Sequence, residues 1–108
     1  MGFDITKVTE DMLHAAEGVF QSEWSKAQGA LKDVLEEESA AFKAIAEARI
    51  DGKITDDDFQ RQMEDEKETL RAGLAMVRVI NKKIAQDAIN AALTVFTEAV
   101  KAGIGAGL

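Results

Sequence analysis

Asp51-Gly52-Lys53-Ile54-Thr55-Asp56-Asp57-Asp58-Phe59 stands at the middle of the 108-residue chain and contains both a helix stop and a helix start. Gly52 is free to take the left-handed conformation that closes a helix. Thr55 suits the N-cap of the next one, Asp58 follows three residues later as the acid of a capping box, and Ile54 and Phe59 occupy the staple positions. The run of aspartates also complements the positive end of the helix dipole. A weaker start lies at Asp4, flanked by Phe3 and Val8. Between these signals only isolated glycines at 18, 29 and 73 interrupt the helical pattern. The sequence therefore predicts a single all-α domain over 1–108. It is an antiparallel two-helix hairpin with helices at about 5–51 and 56–102, a turn at 51–55 and a Gly/Ala-rich tail at 103–108 that frays. Each helix would be about 70 Å long.

Composition agrees with that class. Hydrophobic residues make up 46% of the chain and charged ones 31%, which excludes disorder; the lack of proline and the abundance of alanine favour helix over a sandwich or barrel. With no cysteine there is no disulfide framework, thiolate zinc site or Cys nucleophile. No basic segment precedes an apolar run at the N-terminus, so a cytoplasmic location is the expectation. The charge-free stretch from Ala88 to Thr97 is far shorter than a membrane span.

The net charge of −7 is distributed as −5 over residues 1–50, −5 over 51–70 and +3 over 71–108. An acidic surface of this kind repels phosphate, and nucleic acid is excluded as a partner. The basic cluster Arg71, Arg78, Lys82 and Lys83 is read as pairing with the opposite helix, Glu37 beside Arg71 and Glu23 beside Lys82 or Lys83. The turn end, with Asp51, Asp56, Asp57, Asp58, Glu64, Asp65 and Glu68, reads as a solvated acidic tip open to a basic protein partner.

Two apolar stripes appear. The first, read as the core inside the hairpin, joins Leu13, Phe20, Trp24, Leu31, Val34, Phe42 and Ile45 of the first helix to Met63, Leu70, Leu74, Val77, Ile84 and Val95 of the second. Antiparallel pairing through the turn sets Ile45 near Met63, Leu31 near Val77, Trp24 near Ile84 and Leu13 near Val95. The second stripe occupies only the halves distant from the turn: Val8, Met12 and Val19 on one helix, Ile89, Leu93, Phe96, Val100 and Ile104 on the other. One straight hairpin cannot cover both stripes. The expectation is therefore a homo-oligomer, a dimeric four-helix bundle or a larger helical assembly with coiled-coil packing, joined through the second stripe.

Motifs for chemistry are sparse. Phosphate-binding loops, the nucleophile elbow and the His-Glu-x-x-His zinc pattern are absent, and His14 is the only histidine. An EF-hand reading of Asp51-Gly52-Lys53-Ile54-Thr55 fails, because it places Glu47 first, Arg49 third and Asp58 twelfth. Glu38 and Glu66 fall on otherwise apolar faces, an anomaly because a buried unpaired carboxylate is costly. They are candidate metal ligands if His14 and Glu17 of another copy lie at the same level, as in ferritin-like bundles, although His14-Ala15-Ala16-Glu17 reverses the Glu-x-x-His order of that family. The chain shares a size and hairpin outline with the exported WXG100 proteins and with small structural proteins of phages and secretion machines. It lacks the Trp-x-Gly turn of the former, since Trp24 is followed by Ser25 and Lys26.

The expected function is that of a non-enzymatic structural or adaptor subunit with no catalytic residues, cofactor or metal. The alternatives are a carboxylate-rich metal-binding bundle and a membrane-active hairpin. A membrane role is disfavoured because residues 84–108 carry a single basic residue, Lys101, where interfacial helices carry several.

Overall fold

Asp4 caps the first helix as expected, its side chain accepting the backbone N–H of Lys7 at 3.1 Å, and α1 runs over Ile5–Phe20. There the expected long helix stops. In the computed structural model, which describes residues 3–77 and 80–105, Gln21 takes φ 52° and ψ −118°, and one tight turn over Gln21–Glu23 leads into α2, Trp24–Glu37. The next helix, α3, covers Ser39–Ile50. Helical hydrogen bonding bridges the α2–α3 junction, since Glu38 N–H donates to Val34 O at 3.0 Å and Phe42 N–H to Glu38 O at 2.9 Å. The local break coincides with Ser39, whose hydroxyl donates to the Glu36 carbonyl at 2.9 Å, a back-bond that bends helices.

The central turn forms as read. Gly52 has φ 74°, Lys53 N–H bonds to Ala48 O at 2.8 Å and Gly52 N–H to Arg49 O at 3.2 Å, the paired bonds of a Schellman stop. Thr55 and Asp58 then exchange both bonds of the capping box and α4 runs over Asp56–Ala75. It too ends early. After Met76, Asn81 caps a new helix by accepting the N–H groups of Lys83 at 2.8 Å and Ile84 at 3.3 Å, and α5 extends over Lys82–Gly105. Arg78 of the basic cluster and residues 106–108 of the tail lie outside the described residues.

These two breaks correct the hairpin. A straight helix over 5–51 would span about 70 Å. The molecule measures only 42 × 22 × 20 Å. Each arm folds back on itself, so α1 packs along α5, α2 against α4, and α4 along α5. The described residues of one chain thus supply four helical rods, the second made of α2 and α3, around one core.

Folding back also exchanges the two stripes in the distal halves. Near the central turn the first stripe is interior as expected: Leu31, Val34, Phe42, Ile45, Met63, Leu70 and Leu74 are all buried. Farther out its members Leu13, Trp24, Val77, Ile84 and Val95 are only partly covered, although Phe20 remains buried. The residues assigned to an oligomer interface take the interior instead. Val8, Met12, Ile89, Phe96 and Val100 are buried by their own chain, Val19 and Leu93 pack at its margin, and of that stripe Ile104 alone is exposed. The energetics account for this outcome. A strained positive-φ residue such as Gln21 costs about 1–3 kcal/mol, whereas burying each large apolar side chain contributes about 1.5–3 kcal/mol. Several such side chains outweigh one strained turn.

The expected interhelical ion pairs are likewise replaced. Glu23, at the start of α2, pairs with Lys26 at 3.0 Å, Arg71 with Glu68 at 3.0 Å and Lys83 with Asp87 at 3.2 Å, each with a neighbour three or four residues away. Neighbours three or four residues apart are already within reach on a helix surface. No helix among the described residues is long and apolar enough to cross a membrane.

Gly73 marks the tightest crossing. A Cβ built there would lie 3.2 Å from both Cβ and Cγ2 of Val34, so α4 approaches α2 closely enough that any side chain at this position must push Val34 aside by a few tenths of an ångström. Gly73→Leu is expected to lower stability by about 1–3 kcal/mol through overpacking. Gly18→Ala, whose added Cβ meets nothing, should raise it by about 0.5–1 kcal/mol through helix propensity. Urea denaturation of the two variants checks the opposite signs.

Candidate functional site

Glu66 lies on α4 between Met63 and Leu70, one turn from each, which turns its side chain into the bundle. Only 8% of its surface is exposed. Its carboxyl faces that of Glu38 at the α2–α3 junction, so the structure brings together the two acids that the sequence marks as anomalous. Burial, the hydrogen bond with Glu38, and the charges of Glu38 and Asp65 together push the Glu66 carboxyl from the ordinary 4.5 up to about 7. A charge on Glu66 would stand unpaired in the interior and facing another acid, so the neutral form of Glu66 is favoured to higher pH. Oε2 of Glu66 is buried without a hydrogen-bond partner.

Within one chain the other two candidate ligands lie apart from this pair. His14 stands exposed on α1 with its Nδ1 3.9 Å from Glu17 Oε1, a local pair one turn apart. Among the described residues no three His, Cys, Asp or Glu side chains come together as a metal site. The site within this chain is therefore two facing carboxyl groups, of which Glu66 holds its proton unusually tightly.

The acidic tip is organised by the helix start. Asp58 is held below the usual carboxylate range by its hydrogen bonds from Thr55 and by Arg61, whose guanidinium lies 2.6 Å away. Arg49 approaches Asp56 at 4.0 Å from the preceding helix.

What remains on the surface follows from the exchanged stripes. Between α1 and α2 runs an open groove of about 530 Å³ with Ile5, Leu13 and Trp24 in its floor. Glu10, Glu17, Glu36, Lys32 and His14 line its sides, all exposed. Trp24, the chain's single tryptophan, is half-buried and its ring packs 5.9 Å from that of Phe20. The sequence pattern reads Leu13 and Trp24 as core because their spacing matches the first stripe. Their surface position depends on the break at Gln21, which no local residue announces. A second groove of about 670 Å³ lies between α4 and α5, with Leu74, Val77, Ile80 and Ile89 below and Lys82 and the Arg71–Glu68 pair at its rim.

No protein-family model, curated protein or solved structure matches this chain.

Proposed function

We propose that this chain is a non-enzymatic adaptor, a helical subunit that serves a larger assembly by offering a preformed groove to a protein partner. The observation that carries this reading is the half-buried Trp24, set with Leu13 and Ile5 in the floor of the α1–α2 groove. Large aromatic side chains in preformed grooves contribute disproportionately to protein association, because they bury much area for little loss of conformational freedom. The titratable groups that line the groove stand on exposed helix faces, which suits a polar rim better than a buried reaction centre. Assembly in this reading uses the groove or the acidic tip, since the stripe first assigned to self-association serves the chain's own core.

Two measurements test the reading. Protein purified without chelator is expected to contain no stoichiometric metal; iron, manganese or zinc that is lost in Glu38→Ala and Glu66→Ala would replace the adaptor with a metal-binding bundle. Acrylamide is expected to quench Trp24 fluorescence in the isolated folded protein. Complete protection of Trp24 would mean that the groove is closed, and the adaptor reading would fail on that result as well.

A further inference from the structure

The chemistry of the groove narrows the partner. Measured along α1 from Ile5 to Glu17, its lining extends over about 18 Å, the length of three to four helical turns. A helix of about 12 residues laid along it would contribute one apolar face, with anchors at i, i+3, i+4 and i+7. The floor supplies apolar contacts at both ends, Ile5 at one and the Leu13–Trp24 cluster at the other. Along the sides, Glu10, Glu17 and Glu36 face a single full cation, Lys32, so the rim is acidic as is the chain overall. That balance steers cationic segments toward the groove and repels acidic ones.

We infer that the α1–α2 groove binds a basic amphipathic helix of a partner protein, with its apolar face on Ile5, Leu13 and Trp24 and its lysines or arginines over Glu10, Glu17 and Glu36. This assignment rests on the adaptor reading and adds the partner's chemistry to it. The α4–α5 groove is less suited to such a helix because Lys82 and Arg71 stand at its rim.

The fluorescence of Trp24 reports directly on occupancy, as it is the chain's only tryptophan. The probe is a synthetic peptide of about 14 residues with leucines at i, i+3, i+4 and i+7 spacing and lysines elsewhere. Its counterpart carries glutamates in place of the lysines. The lysine peptide is expected to shift the Trp24 emission to shorter wavelength in a saturable manner, and the glutamate peptide to leave it unchanged. Glu10→Lys combined with Glu36→Lys, both at exposed positions that spare the core, should weaken the lysine peptide by about tenfold or more. Leu13→Asp should abolish the shift while circular dichroism verifies its helicity. Equal binding to wild type and to the doubly charge-reversed protein, or no spectral shift with the lysine peptide, overturns the assignment. Preferential binding of the glutamate peptide overturns the partner's charge alone and leaves an adaptor with a different partner.

Discussion

Phe96→Ala is expected to cost about 3–5 kcal/mol of folding free energy. Phe96→Asp is expected to abolish cooperative folding. Phe96 is fully buried, and its ring centroid lies 4.9 Å from that of Phe42, 5.8 Å from Phe3 and 6.3 Å from Phe59. The chain start, α3, α4 and α5 thus converge on one side chain. Truncation removes the burial of a large ring, leaves a cavity among three others, and forfeits aromatic pairings worth about 0.5–1.5 kcal/mol each. A domain of this size has only about 5–15 kcal/mol of total stability, so a buried carboxylate at the same position exceeds what the fold can absorb. Chemical denaturation followed by circular dichroism measures both effects, and neither should depend on protein concentration. A Phe96→Asp protein that retains wild-type helicity but sediments as a smaller species would return this residue to an interface between copies.

How far the sequence leads is clear from such residues. The helical class, the cap at Asp4 and the stop and start over 51–55 are legible because each rests on local chemistry: an acceptor side chain, a glycine at positive φ, a reciprocal capping box. The pairing of α2 with α4 is legible too, since Gly73 opposite Val34 lies within one residue of the register that the central turn imposes. The break before α5 left a readable trace in the β-branched Val77, Val79 and Ile80 followed by the cap residue Asn81, a signal that an unbroken apolar period obscures. The break at Gln21 left none. A residue other than glycine held at positive φ expresses a tertiary demand, the burial of Val8, Met12, Ile89 and Phe96, and not a local preference. The candidate site divides along the same line. Glu38 and Glu66 stand out in the sequence because charge interrupts an apolar face, whereas the groove around Trp24 exists only once α1 has folded back over α2.

The same carboxyl pair predicts an unusual pH dependence. Glu66 titrates near 7 in the folded protein against 4.5 for an ordinary glutamate. The folded state therefore binds this proton more tightly than the unfolded chain does. Stability from the protonated carboxyl is complete below about pH 4.5 and is lost as pH rises through about 7. Burial is the main cause, and the facing Glu38 and neighbouring Asp65 act in the same direction, with no cation offsetting them among the charges that act on Glu66. A shift of this size corresponds to about 3 kcal/mol; because solvent reaches part of the pair at half-buried Glu38, a loss of about 2 kcal/mol between about pH 5 and pH 8 is the expected effect. Asp58 has the opposite sign, its stabilisation being lost only as pH falls below the ordinary aspartate range, so it does not interfere in this window. Glu66→Gln, which keeps the shape without the charge, should flatten the profile and exceed the wild type by about 2 kcal/mol at about pH 8. Glu38→Gln should reproduce part of that gain. Urea denaturation at the two pH values decides the matter: a wild type that is more stable at the higher pH, or a Glu66→Gln protein that is less stable there, would show that the buried carboxylate is charged and compensated in the folded chain.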